Sequence, residues 1–347
     1  MTPMRWDLFC RVIDNFGDIG VCWRLAADLG ARGEQVRLWT DDASALGWMA
    51  PAGAANVQVG AWHDAALAGA SGDVVIEAFG CDPPPAFVAR MAQREQPPLW
   101  INLEYLSAES YVRRSHGLGS PQLSGPGCGL HKWFFYPGFE AGTGGLLREP
   151  GLMAERDHFD GAGWLRARGL AAAPGERVVS LFCYAGAPLQ ALARLLDDAP
   201  TLLLHAPGVT PPRPTSSRLR CAALPWLSQR DYDRLLWACE LNFVRGEDSF
   251  VRAMWAGAPF VWHIYPQHDA AHAAKLQAFL DGMLADADAA LAGDVRRLFQ
   301  AWNGLGDDTL PWPSATAWPA LARRWRQRLL QQVDLTSQLL GFVAAKR

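Results

Sequence analysis

The sequence lacks the features typical of nucleic-acid-binding, membrane-spanning and disulfide-stabilised proteins. Lys and Arg number 32 against 35 Asp and Glu, and the net charge of −3 argues against nucleic acid as the main partner. No uncharged apolar run reaches the roughly 18 residues of a membrane span. The best, 253–265, is short and contains Pro259 and His263. The seven cysteines are odd in number and form no C-x-x-C pair, which argues against a disulfide framework and a zinc ribbon.

An apolar signal-peptide core is also missing near the N-terminus. Five charged side chains fall within the first 20 residues, at Arg5, Asp7, Arg11, Asp14 and Asp18. We therefore expect a cytoplasmic protein that binds neither nucleic acid nor a membrane.

Strand and helix patterns alternate in two halves of the chain. With 347 residues, half of them hydrophobic, the chain can bury two cores. An apolar run at 8–13, a helical pattern from Ile19 to Leu29 and a strand at 36–39 make up one βαβ unit. The alternation restarts at Arg177, after a loop-rich stretch at 116–150. The sequence thus predicts an α/β protein with two doubly wound, Rossmann-like domains that face a cleft.

The remaining predicted elements follow the same periodicities. Strands are predicted at 73–79, 99–103, 177–182, 201–205, 241–244 and 260–264. Helices are predicted at 154–169, 189–196, 228–239, 249–256, 270–280, 283–301, 317–330 and 335–345.

A short acidic loop, Asp14-Asn15-Phe16-Gly17-Asp18, follows the first predicted strand. It lies before a helix, whose first backbone N–H groups suit an anion, yet it contains neither G-x-G-x-x-G nor a P-loop. Two interpretations stay open. Either Asp18 caps the helix and Asp14 shapes the turn, or both carboxylates bind a cation or accept a proton.

A second polar motif, Arg245-Gly246-Glu247-Asp248-Ser249, follows the strand at 241–244. Helix capping accounts for Asp248 alone. Arg245, Glu247, Asp248 and Ser249 within five positions favour a functional site, and a helix start beside an arginine is suited to a diphosphate.

Aromatic side chains follow two other strands. Phe182 and Tyr184 come after the strand at 177–182, and Tyr265 comes after the strand at 260–264. They can stack on a base or a sugar, although most aromatic residues in such positions belong to the core.

A histidine-rich segment offers a possible metal site. His268 and His272 are four residues apart, with His263 and Asp269 nearby. No further ligand follows at a known spacing, which favours a solvated helix start. We predict no metal site.

Several long motifs resemble those of the bacterial protein-arginine rhamnosyltransferases that modify elongation factor P. In chain order these motifs are Asp14-Asn15-Phe16-Gly17-Asp18-Ile19-Gly20, Asn102-Leu103-Glu104-Tyr105-Leu106-Ser107-Ala108-Glu109, Phe135-Tyr136-Pro137-Gly138-Phe139, Thr143-Gly144-Gly145-Leu146-Leu147-Arg148-Glu149 and Arg245-Gly246-Glu247-Asp248-Ser249-Phe250-Val251-Arg252-Ala253. They span nearly the whole chain in the order of the family.

The resemblance implies a GT-B glycosyltransferase with an acceptor-binding domain at 1–165 and a nucleotide-sugar-binding domain at 166–332, the last helix (333–347) packing back on the first. It implies inverting, metal-independent transfer of L-rhamnose from dTDP-β-L-rhamnose to an arginine guanidinium of elongation factor P, which activates that factor for relief of ribosome stalling. No cofactor besides the donor substrate is implied.

The resemblance also implies roles for individual residues. Asp14, Asp18 and Glu247 are the implied catalytic residues. Asn15, Phe16 and Gly17 are the implied acceptor contacts. The implied donor contacts are Phe182, Tyr184, Gln229, Arg245, Glu247, Asp248, Ser249 and Tyr265.

Two other functions stay open from the residues themselves. One is a GT-B glycosyltransferase with a different nucleotide sugar or a small acceptor. The other is a non-catalytic module that binds elongation factor P, against which the presence of Asp14, Asp18 and Glu247 argues. Which of Asp14 and Asp18 accepts a proton, and whether Glu247 contacts sugar or acceptor, is left open as well.

Overall fold

The structure is a computed structural model that describes residues 3–14, 16–266, 271–307 and 309–347. The strands are β1 Arg5–Cys10, β2 Gln35–Thr40, β3 Val57–Ala61, β4 Val74–Ala78, β5 Leu99–Leu103, β6 Gly119–Pro121, β7 His131–Phe135, β8 Arg177–Leu181, β9 Thr201–His205, β10 Leu219–Ala223, β11 Leu241–Arg245 and β12 Phe260–His263. The helices are α1 Gly17–Ala31, α2 Leu46–Met49, α3 Pro85–Ala92, α4 Tyr111–Ser115, α5 Leu152–Asp157, α6 Gly161–Ala167, α7 Leu189–Leu196, α8 Gln229–Ala238, α9 Asp248–Ala256, α10 Ala271–Leu284, α11 Ala289–Trp302, α12 Ala317–Leu330 and α13 Leu335–Lys346, with a 3₁₀ helix at Trp62–Ala66.

The chain forms two compact units. The first comprises Met1–Glu149 and Gln332–Arg347, and the second comprises Pro150–Gln331. The sequence analysis predicts the first boundary at 165, whereas residues 150–165 belong to the second unit. Their contacts explain the difference: Trp164 and Leu165 pack into a core of the second unit, and the Arg156 guanidinium donates to the Ala256 carbonyl at 2.8 Å.

Each unit is built on one sheet whose strand order reverses in the middle. The first sheet has the order β3-β2-β1-β4-β5-β7-β6, in which β6 is antiparallel to β7 and the other pairs are parallel. The second is parallel throughout, in the order β10-β9-β8-β11-β12. The order reverses between β1 and β4 and between β8 and β11. In open α/β sheets, ligands bind at the carboxyl ends of the strands at such a point.

Both faces of the first sheet are covered by apolar side chains. Along β1, Trp6, Leu8 and Cys10 join one core cluster, whereas Phe9 joins another. Side chains alternate between the two faces of a strand, so the successive apolar residues at 8–10 reflect burial on both sides.

The last helix, α13, belongs to the first unit. Leu335, Leu339 and Val343 lie in the same core cluster as β1. At its start, Asp334 accepts a hydrogen bond from Arg32 at 2.8 Å, at the end of α1. The return of the C-terminal helix to the first unit is therefore confirmed.

Most predicted elements match the structure to within a few residues. The strands at 99–103 and 201–205 and the helices at 189–196 and 317–330 are confirmed at the same bounds. Three predictions are wrong in part. The helix at 154–169 is two helices, α5 and α6, because Asp160 caps the second. The helix at 283–301 begins only at Ala289, where Asp288 caps it. The strand at 8–13 ends at Cys10. Ala270, the predicted start of the helix at 270–280, lies outside the described residues.

A buried ion pair joins α8 to α9 in the second unit. The Arg252 guanidinium donates to both carboxylate oxygens of Asp233, each at 2.8 Å. The two residues are 2% and 4% exposed respectively. Because neither charge has much contact with water, the loss of one partner is costly to the other.

We expect Arg252→Met to lower the free energy of unfolding of the second unit by about 3–5 kcal/mol, since it leaves the Asp233 carboxylate buried without its guanidinium. The measurement is urea unfolding. The double variant Asp233→Leu with Arg252→Met is the matched control and should recover most of the loss. A single variant within about 1 kcal/mol of the wild type would contradict this account.

Candidate functional site

The loop after β1 is organised by the carboxylate of Asp18. This residue lies in the first turn of α1 and is 3% exposed. Its Oδ2 accepts hydrogen bonds from the backbone N–H groups of Ile13, at 2.8 Å, and Asp14, at 2.9 Å. The strand ends at Cys10 because the following N–H groups donate to carboxylates instead of to a neighbouring strand. Asp18 therefore fixes the path of the loop that carries Asp14.

Helix capping does not account for Asp18. The N-cap position of α1 is Phe16, and no side chain caps it. Asp18 lies inside the helix and turns back to the preceding loop. The capping interpretation is wrong in its geometry, although the hydrogen bonds show that Asp18 does support local structure.

Asp14 lies directly over the start of α1. The Gly17 N–H donates to the Asp14 carbonyl at 2.6 Å. A Cβ atom on Gly17 would lie 2.7 Å from Asp14 Oδ2, so glycine is what allows this close approach. Phe16 packs edge-on against Trp48 with ring centroids 5.2 Å apart. Asn15 lies outside the described residues.

Tyr105, which the sequence analysis did not assign to a site, contacts Asp18 from the loop after β5. It follows β5, and its hydroxyl donates to Asp18 Oδ1 at 3.3 Å. Its ring stacks on Phe79, with centroids 4.2 Å apart and an interplanar angle of 12°. The sequence feature that could have pointed to Tyr105 as a site residue is its position just after a predicted buried strand.

In the second unit, Arg245 lies at the reversal of the sheet order. It is the last residue of β11, and its guanidinium carbon lies 4.3 Å from the ring centroid of Phe182 and 4.7 Å from that of Tyr184. Its Nη1 also donates to the Cys183 carbonyl at 3.3 Å. Two aromatic faces and a carbonyl thus orient a cation at the carboxyl edge of the sheet.

Tyr184 and Tyr265 meet in the same cluster. Their rings pack edge to face with centroids 5.6 Å apart. Tyr265 is 41% exposed. The structure therefore brings together the four side chains Phe182, Tyr184, Arg245 and Tyr265.

The start of α9 carries the other polar residues of the motif. Glu247 occupies the N-cap position without capping through its side chain, and Gly257 ends the helix in the left-handed conformation, with φ of 69°. The Ser249 hydroxyl donates to the Arg245 carbonyl. Gln229, at the start of α8, donates to Asp248 Oδ2 at 3.3 Å. These contacts fix the helix start beside Arg245.

His263 supports Tyr184 from β12. The Tyr184 N–H donates to His263 Nδ1 at 3.3 Å, which requires that nitrogen to be unprotonated. Burial, and then the positive charges of Arg245 and His272, lower the pKa of His263 to about 4. His263 is therefore neutral near pH 7. The sequence analysis weighed it as a metal ligand only and missed this contact.

The two sites differ in the charged groups that they present. In the first unit, two carboxylates lie at the carboxyl edge of the sheet, an arrangement suited to a cation. In the second, the carboxylates of Glu247 and Asp248 lie beside a guanidinium, aromatic faces and the positive end of a nine-residue helix, and these last three features suit an anion with a planar ring.

The described residues contain neither a cluster of metal ligands nor a membrane-spanning helix. No group of three or more His, Cys, Asp or Glu side chains in that part of the chain could hold a metal ion. His268 and Asp269, weighed as ligands above, lie outside it. No helix in the described ranges is both long enough and apolar enough to cross a membrane.

Comparisons with known proteins agree with one another. Residues 6–344 match the model of the family described as Elongation-Factor P (EF-P) rhamnosyltransferase EarP. A protein-arginine rhamnosyltransferase of Pseudomonas putida is 46% identical over 97% of this chain and 98% of its own length. A solved structure reported as the structural basis for EarP-mediated arginine glycosylation of translation elongation factor EF-P is 31% identical, with a TM-score of 0.69 over 99% of this chain and 100% of that chain.

The fold is shared more widely than the sequence. The spinosyn rhamnosyltransferase SpnG matches 98% of this chain and 99% of its own with a TM-score of 0.52 at 15% identity, a likeness of fold alone. Two Rossmann-like sheets and these structural neighbours define a glycosyltransferase fold of the GT-B class. Within that class, the chain belongs to the EarP family of EF-P rhamnosyltransferases.

We expect His263 to make the second unit less stable as the pH falls. Its folded pKa of about 4 lies below its usual value of 6.5, so the unfolded chain binds more protons between these values. Stability is retained above about pH 6.5 and is lost as the pH falls towards about 4, by on the order of 3 kcal/mol in all.

The measurement is urea unfolding of the wild type and of His263→Asn across this pH range. Asparagine offers an acceptor oxygen near the position of Nδ1 but does not titrate. The variant should therefore depend less steeply on pH. Equal pH dependence in both proteins would rule out His263 as the cause.

Proposed function

We propose that the chain transfers L-rhamnose from dTDP-β-L-rhamnose to the guanidinium of an arginine in elongation factor P, with inversion at the anomeric carbon. The observation that carries this proposal is the family match over residues 6–344, which covers both units. The chemistry of the two sites supports it, since one suits a cationic acceptor and the other an anionic donor.

The guanidinium of the acceptor arginine is a poor nucleophile. A guanidinium has a pKa of about 12.5 to 13.8, and its nitrogen lone pairs are delocalised. A carboxylate pair can bind its planar fork, hold one nitrogen near the anomeric carbon and accept its proton. We assign these tasks to Asp14 and Asp18 jointly. The buried, hydrogen-bonded carboxylate of Asp18 supports this assignment, because an orienting group must itself be held.

Asn15, Phe16 and Gly17 would contact the acceptor from the same loop. Gly17 leaves room for the Asp14 carboxylate over the helix start, and Phe16 is held against Trp48. An acceptor arginine would therefore meet the Asp14 carboxylate and the Phe16 ring in positions that Gly17 and Trp48 help to define.

The donor would occupy the site in the second unit. Its diphosphate would lie at the start of α9, near Asp248 and Ser249, with Arg245 beside it. Phe182, Tyr184 and Tyr265 offer faces to the planar ring or the sugar, and Gln229 would complete the pocket. Glu247, at the N-cap of α9, would lie near the same phosphates and would contact sugar or acceptor.

The bond changes follow from these positions. A guanidinium nitrogen attacks the anomeric carbon while the bond from that carbon to the diphosphate oxygen breaks. The electron pair leaves on dTDP, and the nitrogen proton passes to a carboxylate. Attack opposite to the leaving group converts the β-linked sugar into an α-rhamnosyl-arginine. Arg245 and the α9 N–H groups would stabilise the charge on the leaving diphosphate, a task that needs no metal ion.

We expect Asp18→Asn to reduce rhamnosyl transfer by about 10²–10⁴-fold, the usual contribution of a general base, while dTDP binding is retained. Transfer is measured by intact mass, as the gain of one deoxyhexose on elongation factor P. Binding is measured by calorimetry.

Asp42→Asn is the matched control, because Asp42 is an exposed carboxylate in the first unit, in the loop after β2, and should leave transfer unchanged. Transfer by Asp18→Asn at the wild-type rate would refute the role given to Asp18. Preference for a UDP-sugar over dTDP-rhamnose would refute the donor assignment. Full activity in the presence of a chelator is expected, and its loss would overturn the metal-independent mechanism.

A further inference from the structure

The Asp18 carboxylate is held from two directions. Its Oδ2 accepts from two backbone N–H groups of its own loop, those of Ile13 and Asp14. Its Oδ1 accepts from the Tyr105 hydroxyl, which belongs to the loop after β5. The terminal torsion of an aspartate is broad and roughly two-fold. A contact on each oxygen therefore restricts a rotation that one contact alone would leave soft.

The Tyr105 ring is itself fixed by its neighbours. It stacks on Phe79, which follows β4 and adopts φ of 59°, in the left-handed region that bulky residues rarely enter. The Phe79 N–H donates to the Leu103 carbonyl at 2.7 Å, which keeps the ends of β4 and β5 together. Backbone strain of this kind persists where the surroundings hold a side chain in place, and here it places Phe79 under the Tyr105 ring.

A polar bridge holds the same two strand ends together. The Gly80 N–H donates to Asn102 Oδ1 at 3.1 Å, and the Asn102 amide donates to Glu104 Oε1 at 2.8 Å. Glu104 directly precedes Tyr105, and its own N–H donates to the Phe135 carbonyl at 2.9 Å. The hydroxyl of Tyr105 is thus carried by a segment tied to β4, β5 and β7.

We infer that Tyr105 is a positioning residue of the transfer reaction, whose hydroxyl fixes the orientation of the Asp18 carboxylate towards the acceptor. Tyr105 can act in this way only if Asp18 has the role proposed above. The hydrogen bond of 3.3 Å is long, and a carboxylate oxygen has two lone pairs, so Oδ1 can still accept from a guanidinium.

The test compares Tyr105→Phe with the wild type, because this change removes the hydroxyl and keeps the ring that stacks on Phe79. We expect kcat to fall roughly ten-fold, the size typical of one hydrogen bond to a charged group. The KM for elongation factor P and for dTDP-rhamnose should stay within about two-fold, because no substrate contact is removed.

Tyr111→Phe is the matched control. Tyr111 lies in α4 of the same unit, and its ring packs edge-on against Tyr136. It should retain the wild-type kcat, and the melting temperatures of the two variants should shift equally little. A loss of kcat in Tyr105→Phe that Tyr111→Phe does not share would separate positioning from a general effect on the fold.

A second variant, Phe79→Leu, keeps the hydroxyl and removes the stacked ring. We expect a smaller fall in kcat, again at unchanged KM. The double variant Tyr105→Phe with Phe79→Leu should have the same kcat as Tyr105→Phe alone, because the stacked ring acts through the hydroxyl. Additive losses of kcat would indicate a purely structural role and overturn the inference. If the melting temperature of Tyr105→Phe falls well below that of the wild type, the variant is misfolded and Phe79→Leu decides: wild-type kcat in that variant overturns the inference.

Three further outcomes are distinguishable. A wild type that adds no deoxyhexose to elongation factor P refutes the proposed function, and the role of Tyr105 with it. An active wild type matched by Tyr105→Phe refutes the role of Tyr105 alone. A raised KM for elongation factor P at unchanged kcat would make Tyr105 an acceptor contact, which also overturns the positioning role.

Discussion

The reversal of strand order within each sheet is the constraint on which both candidate sites depend. Chain segments leave β1 and β4, and likewise β8 and β11, from neighbouring positions at the carboxyl edge of a sheet. Because the order reverses there, the connections run in opposite directions and leave a crevice between them. Asp14 and Asp18 follow β1, whereas Phe182 and Arg245 come from β8 and β11. The topology thus determines which loops at the carboxyl edge can place functional side chains in the crevice.

Periodicity predicted the buried strands well, including the edge strand β12, and the more exposed edge strands poorly. Central strands such as β5 and β9 read as apolar runs because both of their faces are covered. The strands β3 and β10 lie at the ends of their sheets and were not predicted. An edge strand can remain partly exposed, so its sequence need not be apolar, as Val57–Ala61 illustrates. Strand β7 was read as a loop because glycine and proline surround it.

The motifs were predictable because their residues are contiguous in the chain. The residues that hold the motifs in place are distant in sequence and were not predicted. Arg245, Glu247, Asp248 and Ser249 stand within five positions of the chain. Tyr105 reaches Asp18 across 87 residues, and His263 reaches Tyr184 across 79. Contacts of such separation depend on strand order and register, and no spacing in one sequence encodes them directly. The residues that hold a site are therefore harder to find than those that form it.

The near-neutral composition does not reveal how charged groups are distributed between the two sites. A net charge of −3 over 347 residues argued against nucleic acid and said nothing of local fields. The carboxylate of Asp18 is oriented by backbone N–H groups and a hydroxyl, and the guanidinium of Arg245 by ring faces and a carbonyl. For Asp18, such neutral partners orient the carboxylate without cancelling its charge. That charge therefore remains available to a cationic substrate, whereas a salt bridge within the protein would neutralise it.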